Sequence, residues 1–165
     1  MISKLYPKAY VPSLFHINLE DLKKMGIKAI LFDIDNTLIP WGLKHMDPAI
    51  EAWLRDLCQQ GFKVCFVSNN TESRVSALCC SFQVPGVHKA AKPSRRGLRQ
   101  ALRAVEAGIH ETAMVGDQIF TDVLAGNRLG VYTILVTPLE GKEFIGTRIN
   151  RKLEKWVLRR LNRQQ

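Results

Sequence analysis

Short apolar runs alternate with segments of helical periodicity along most of this chain, and this alternation limits the fold more than any other feature. Five runs are typical of buried strands: 28–32, 62–67, 86–88, 112–115 and 131–136. Helical patterns separate these runs. Repeated strand–helix alternation predicts an α/β fold with three layers, α/β/α, around a parallel five-stranded sheet.

Helix-capping residues support the same organisation. Asp47 and Ser94 are typical N-cap residues, and Pro48 suits a first helical position. Helices are predicted within residues 18–25, 47–61, 73–82, 94–108 and 120–129.

The 165 residues fit one domain with short additions at its ends. We predict a core over residues 28–140, an N-terminal extension over 1–27 that packs on the core, and a basic amphipathic helix over 141–165. The formal net charge is +9, and residues 148–163 hold seven basic residues and one acidic residue. Such a charge favours acidic partners.

Several classes of protein are excluded by composition. No uncharged apolar stretch approaches the roughly 18–20 residues of a membrane span, and the first residues lack the apolar core of a signal peptide. The four cysteines include no CxxC pair, which disfavours a zinc site or a disulfide framework. We therefore expect a cytoplasmic protein, with peripheral association at the inner face of the membrane as an open alternative.

Acidic residues gather where the predicted strands end. Asp33 and Asp35 follow the first strand, Asp117 ends the fourth, and Asp122 lies five residues later. A single such aspartate is as well explained by helix capping. Together the acids would repel one another without a cation, and carboxylate oxygens favour a hard ion such as Mg²⁺.

Phosphate-binding groups lie at neighbouring strand ends. Ser68 ends the second strand, and Lys92 precedes the helix that Ser94 caps. A phosphate beside two carboxylates needs positive charge, which Lys92 and a metal ion would supply. The Ser68 hydroxyl and the backbone N–H groups after it can hold phosphate oxygens.

Four ordered segments resemble the motifs of the haloacid-dehalogenase (HAD) superfamily. They are Asp33-Ile34-Asp35-Asn36-Thr37, Ser68-Asn69-Asn70, Lys92-Pro93 and Gly116-Asp117-Gln118-Ile119-Phe120-Thr121-Asp122. With the lead-in over residues 10–28, the chain resembles the YqeG-type phosphatases of subfamily IIIA, which are related to phosphatidylglycerophosphate phosphatases. The resemblance implies a Rossmann-like HAD fold.

The resemblance also implies a role for each matching residue. Asp33 would be the nucleophile, and Asp35 the general acid and base. Three groups would bind Mg²⁺: the carboxylates of Asp33 and Asp117 and the backbone carbonyl of Asp35. Asp122 would orient a metal-bound water.

The remaining motif residues would serve the substrate phosphate. Ser68 and Lys92 would bind the phosphoryl group directly. Thr37 would support the loop and Asp35 beside the phosphate. Asn69 and Asn70 would contact the phosphate through their backbones or cap the next helix.

The gaps between the motifs are too short for the cap domains that usually set specificity in this superfamily. Only 35 positions separate Asp33 from Ser68, and 24 separate Ser68 from Lys92. We therefore predict an open site, which suits a substrate that is bulky or attached to a larger body.

Four residues are candidates for substrate specificity. Trp41 and Lys44 lie in the segment 38–46, here called the flap, and Arg95 and Arg96 follow Lys92. Trp41 would meet substrate or a membrane interface, or else anchor the loop. Lys44 would meet a second phosphate or simply be solvated. The two arginines would bind a diester phosphate or carry ordinary helix-surface charge.

These features together predict a Mg²⁺-dependent phosphomonoesterase that acts on phosphatidylglycerophosphate at a membrane surface. Its partner is then a phosphorylated substrate on an anionic lipid. A second hypothesis keeps the chemistry and changes the substrate to nucleotides, sugar phosphates or nucleic-acid ends. A third is a basic RNA- or ribosome-binding protein, which the full acidic set disfavours. The tail would bind the bilayer or dock on protein.

Overall fold

The computed structural model describes residues 2–139. The predicted C-terminal helix lies outside the described residues. Six strands form the sheet: β1 Ala9–Val11, β2 Ala29–Phe32, β3 Lys63–Val67, β4 Gly86–Val87, β5 Thr112–Gly116 and β6 Tyr132–Val136. Five α-helices accompany them: α1 Leu19–Lys24, α2 Pro48–Gln59, α3 Glu72–Phe82, α4 Arg95–Val105 and α5 Leu124–Leu129.

The sheet is parallel throughout, with the strand order β1-β6-β5-β2-β3-β4. The α/β fold is confirmed, but the prediction of five strands is wrong by one. The additional strand is β1, which pairs with β6 through Ala9 beside Ile134 and Val11 beside Val136. A three-residue edge strand with its central Tyr10 exposed is shorter than the run of about four to eight apolar residues that indicates a buried strand.

Alternate residues of the central strand face two separate cores. Ile30 and Phe32 pack in the larger core, together with Leu54 of α2 and Val75 of α3. Ala29 and Leu31 pack on the other side, among residues of α4 and α5 that include Leu98, Ala101 and Ala125. Period-two alternation with both faces buried is what a three-layer parallel sheet requires.

The helices begin where the capping residues predict. The side chain of Asp47 accepts a hydrogen bond from the N–H of Ala49, and that of Ser94 accepts from the N–H of Arg96. The predicted helix over 120–129 differs at its start, because a π-helical turn over Ile119–Val123 precedes α5. That wider turn carries Asp122, whose Oδ2 accepts from the N–H of Gln118.

No cap domain interrupts the core within residues 33–94, all of which the structure describes. Between β2 and β3 lie the flap and α2, and between β3 and α4 lie α3 and the two-residue β4. None of the described helices is long and apolar enough to cross a membrane.

Candidate active site

The polar residues that follow β2, β3 and β5 meet at one edge of the sheet. Asp33, Ser68 and Asp117 each come directly after one of these strands, and all three are buried. Because neighbouring parallel strands end at the same edge, the topology brings these side chains together. We call this edge the carboxyl edge.

Three buried carboxylates form an acidic cluster at the carboxyl edge. Asp33, Asp117 and Asp122 each offer one oxygen, and these oxygens lie within 4.8 Å of one another. Gly116 makes room for the cluster, since a Cβ there would lie 2.3 Å from Oδ2 of Asp122. A buried set of carboxylate oxygens fits a hard divalent cation.

Lys92 is the cation that the structure places against this cluster. Its Nζ lies 2.5 Å from Oδ1 of Asp33 and 2.8 Å from Oδ1 of Asp122, and it donates to the carbonyl of Val67 at 2.8 Å. Burial alone would lower the pKa of Lys92. The charges of Asp122 and Asp33 outweigh burial and raise that pKa above its usual value.

Burial disfavours the ionised form of Asp33. It raises the pKa of Asp33 to about 7, Lys92 opposes this rise, and Asp122 adds to it. One lysine therefore does not compensate the buried acids, and a bound divalent cation would favour their ionised forms. The charge balance thus supports the metal site that the donor atoms indicate.

Two motif residues brace the cluster. The Thr37 hydroxyl lies 3.4 Å from Oδ2 of Asp33 and 3.3 Å from Oδ1 of Asp117, so its hydrogen-bond partners are these carboxylates rather than Asp35. The Asn69 amide binds the backbone of Lys92 in both directions, accepting from its N–H at 2.8 Å and donating to its carbonyl at 3.1 Å. Asn69 therefore fixes the loop that carries Lys92.

Asp35 lies apart from the acidic cluster and is held from α3. Nε of Arg74 donates to Oδ1 of Asp35 at 2.7 Å, and Nη2 of Arg74 lies 2.7 Å from the same oxygen. The Asn70 amide donates to Oδ2 at 3.3 Å. The sequence analysis missed Arg74, because nothing in its local pattern distinguishes it from a surface arginine in the first turn of a helix.

A cleft of about 470 Å³ opens above these groups. Its lining includes Asp33, Asp35, Ser68, Lys92 and Trp41. The Ser68 hydroxyl accepts a hydrogen bond from the N–H of Asn70 at 3.0 Å. Within residues 2–139 its own hydrogen has no acceptor, so it is available to a phosphate oxygen.

The other lining residues include two that the sequence analysis did not single out, Gln118 and Thr121. Gln118 precedes the π-helical turn and Thr121 lies within it, so the turn that the sequence pattern did not predict carries both to the cleft.

The four candidates for substrate specificity do not lie together in the structure. Trp41 lines the cleft and is 38% exposed. Lys44 is exposed on the flap and does not line the cleft. Arg95 and Arg96 line a separate groove along α4.

Comparisons with known proteins agree with this geometry. A model of the HAD-hydrolase-like family matches residues 89–142. The chain is 38% identical over 165 residues to the probable phosphatase YqeG of Bacillus subtilis, which covers 99% of this chain and 96% of that relative.

Two further matches come from a plant enzyme and a solved structure. The chain is 31% identical over 166 residues to phosphatidylglycerophosphate phosphatase 1, chloroplastic/mitochondrial, of Arabidopsis thaliana, which covers 93% of this chain. The match covers 47% of the plant protein, so the chain spans about half the length of that relative. NagD from E. coli K-12 shares the fold, with a TM-score of 0.57 at 16% identity, over 73% of this chain and 91% of that one.

Similarity that runs almost end to end at 38% identity establishes the family. The protein belongs to the YqeG-type phosphatases of the HAD superfamily and is itself a phosphatase.

Proposed function

We propose that this phosphatase is Mg²⁺-dependent and removes the terminal phosphate of phosphatidylglycerophosphate to give phosphatidylglycerol. The open cleft carries this proposal, because no cap covers it within residues 33–94 and a lipid headgroup can enter from a bilayer. The relative from Arabidopsis that matches 93% of the chain bears this activity in its name. We place the enzyme at the inner surface of a membrane.

The acidic cluster would hold the metal. Asp33 and Asp117 would each give a carboxylate oxygen, with the backbone carbonyl of Asp35 as a further ligand, and Asp122 would orient a bound water. When bound, Mg²⁺ neutralises charge on the phosphoryl oxygens and keeps the carboxylates ionised.

Asp33 would act as the nucleophile. One of its carboxylate oxygens attacks phosphorus, and the bond from phosphorus to the glycerol oxygen breaks. That leaving oxygen takes a proton from Asp35, so phosphatidylglycerol departs as an alcohol and an aspartyl-phosphate remains on Asp33.

Hydrolysis of the aspartyl-phosphate would reverse these roles. A water attacks phosphorus while the carboxylate of Asp35 accepts its proton, and the bond from phosphorus to Asp33 breaks. Asp33 returns as a carboxylate, inorganic phosphate is released, and Asp35 is again protonated for the next turnover.

Lys92 and Ser68 would hold the transferring phosphoryl group. The Lys92 ammonium already touches Asp33, so it lies beside the oxygen that attacks. Its charge would stabilise the oxygens of the transition state, and the Ser68 hydroxyl would donate to one of them. Both side chains are buried and therefore preorganised for this task.

The rim of the cleft supports a membrane-borne substrate. Trp41 lines the cleft and is 38% exposed, and Leu43 on the same flap is 55% exposed. Exposed apolar groups beside an open site suit a bilayer interface, where an indole ring is favoured.

Phosphate release from phosphatidylglycerophosphate in mixed detergent micelles tests the function. We expect Mg²⁺-dependent turnover that is lost on chelation. A matched panel of nucleotide, sugar-phosphate and aryl-phosphate esters provides the comparison. Turnover of the soluble esters with none of the lipid would overturn the lipid substrate while leaving the phosphatase chemistry intact.

A further inference from the structure

Helix α4 presents a face of arginines to solvent. At 100° per residue, Arg95, Arg96, Arg99 and Arg103 fall within an arc of roughly 100°. The buried residues of α4, including Leu98, Ala101 and Val105, occupy the opposite side. We call these four residues the arginine face.

The arginine face works against the stability of its own helix. No acidic residue lies in the first turn of α4, where Arg95 and Arg96 meet the positive end of the helix dipole. Arg95, Arg99 and Arg103 repel one another at i,i+4 spacing. Within residues 2–139, no carboxylate forms an ion pair with any of the four. A role in binding explains their presence better than a role in folding.

Two adjoining grooves run along the arginine face. The four arginines line one of about 500 Å³ together with Ser94 and Gln100. Lys4 and Arg128 join Arg95 around a second groove of about 530 Å³. No acidic residue lines either groove in the described part of the chain.

We propose that the arginine face docks on an anionic bilayer, with lipid phosphates in its grooves. This inference rests on the proposed lipid substrate, which it would bring to the cleft. The face begins two residues after Pro93, the residue that follows Lys92, so it adjoins the active site in the chain. Within residues 2–139, no aromatic side chain lines the grooves for stacking bases, which disfavours single-stranded nucleic acid as the partner.

Flotation of the full chain with vesicles tests the docking surface. The probes are vesicles of pure phosphatidylcholine and vesicles of phosphatidylcholine that contain about 30 mol% phosphatidylglycerol. The variant Arg95→Gln/Arg99→Gln/Arg103→Gln should reduce partition onto the anionic vesicles on the order of 100-fold, since each basic side chain near such a surface contributes about fivefold. Wild-type binding should also weaken steeply with salt.

A control with the same net charge uses cations on the other face of the sheet. Lys23 and Lys24 lie on α1 and Arg55 lies on α2, and both helices pack on the larger core, across the sheet from α4. The variant Lys23→Gln/Lys24→Gln/Arg55→Gln should keep vesicle partition within about threefold of wild type, because these charges face away from the docked surface.

Thermal unfolding separates docking from a structural role. Removing the three arginines should leave Tm unchanged or raise it by about 1–4 °C, because charge repulsion is relieved. Equal vesicle partition of the triple variant and wild type would overturn the proposal, as would binding of an RNA oligomer but not of vesicles. Flotation needs no turnover, so a failed docking surface is distinguishable from a failed lipid phosphatase.

A second inference rests on Arg74, whose contacts are independent of α4. Arg74 joins two parts of the site: its Nε donates to Asp35, and its Nη1 donates to the carbonyl of Leu43 on the flap at 2.7 Å. Its side chain is largely buried, at 19% exposure. The Oδ1 of Asp35 is therefore anchored by a charge-assisted contact, whereas Oδ2 accepts the longer hydrogen bond from the Asn70 amide.

We infer that Arg74 is a positioning residue, which fixes Oδ1 of Asp35 and thereby sets the direction of Oδ2. The inference rests on the acid–base role proposed for Asp35. Anchoring one oxygen orients the other toward the cleft, and the contact with Leu43 makes this orientation depend on the position of the flap.

Leaving-group dependence tests the positioning role. Arg74→Met should lower kcat for an alkyl phosphate by about 10–100-fold and change kcat for p-nitrophenyl phosphate much less, because nitrophenolate leaves without a proton. Arg74→Lys should recover part of the loss. Arg55→Met, which removes an arginine paired with Glu51 on α2, is the matched control and should leave both rates unchanged.

A double-mutant cycle completes the test. In an Asp35→Asn background, Arg74→Met should cause no further loss of alkyl-phosphate turnover, since its effect passes through Asp35. An equal loss for both substrates, or an additive loss in the cycle, would overturn the inference. If the wild-type protein turned over neither substrate, that result would instead contradict the proposed function.

Discussion

The floor of the cleft is buried, whereas its rim is more exposed, although an ion pair lies at each level. On the floor, Lys92 and Asp33 are each 6% exposed and form a direct ion pair. On the rim, Trp41 is 38% exposed, and Asp35 depends on Arg74 and Asn70 of the segment that follows β3. The proposed nucleophile thus lies where the dielectric is low, and Trp41 lies where a side chain can meet a surface.

The largest effect expected at the floor comes from the proposed nucleophile. Asp33→Asn should lower kcat by at least about 10⁴-fold, because the amide cannot form an aspartyl-phosphate. The Tm of the metal-free protein should not fall, since the change removes a buried charge. Steady-state phosphate release and thermal unfolding measure the two effects. Asp56→Asn, an exposed position on α2, is the control, and activity retained by Asp33→Asn would remove Asp33 as nucleophile.

A second change at the floor removes its cation. Lys92→Met leaves Asp33 and Asp122 without their ion-pair partner and should lower the free energy of unfolding by about 3–5 kcal/mol. Millimolar Mg²⁺ should recover part of that loss. Urea titrations with and without Mg²⁺ measure it, with the exposed Lys24→Met as control. Equal unfolding free energies for Lys92→Met and wild type would contradict the charge-held floor.

The floor should also make metal-free stability depend on pH. Burial raises the pKa of Asp33 from 3.8 to about 7, so the folded state keeps a proton that the unfolded state releases in this window. This stabilisation is fully present below about pH 4 and is lost as pH rises through about 7. The unfolding free energy should therefore fall by up to about 1.4 kcal/mol per pH unit more in wild type than in Asp33→Asn.

Urea titrations between pH 4 and 8 compare the two proteins. Mg²⁺ should restore the unfolding free energy that is lost as pH rises toward about 7, because it binds the ionised carboxylates. Identical pH dependence in wild type and Asp33→Asn would show that Asp33 titrates normally.

The smallest effect is expected at the rim. Trp41→Ala should lower turnover of phosphatidylglycerophosphate in vesicles by about 10-fold, through lost apolar contact with the bilayer, and leave p-nitrophenyl phosphate turnover within about twofold. Ile109→Ala is the matched control, since Ile109 is 37% exposed and lies before β5 at the opposite edge. An equal loss of turnover for both substrates would show that Trp41 holds the flap in place rather than contacting the membrane.

Local sequence signals predicted the central part of the fold well. All five predicted strands are present, the third of them as the two-residue β4, and the caps Asp47 and Ser94 begin α2 and α4 as expected. The edge strand β1 and the π-helical turn over Ile119–Val123 were missed. The strand β1 depends on its pairing with β6, which is distant in the chain. The π-helical turn brings Asp122 against Gly116, six residues before it, a close approach that no periodic pattern predicts.

The sequence by itself determined which polar residues meet at the floor. Apolar runs that end in Asp33, Ser68 and Asp117 specify strands whose last residues meet at one edge, because parallel strands share their direction. Tertiary structure alone decided how the remaining groups act. It brought Arg74 to Asp35 across 39 positions and turned Asn69 to the backbone of Lys92. It also directed Arg95 and Arg96 to a groove of their own. Such contacts have no sequence period, since they arise from the packing of loops and helix ends rather than from the repeat of a strand or helix.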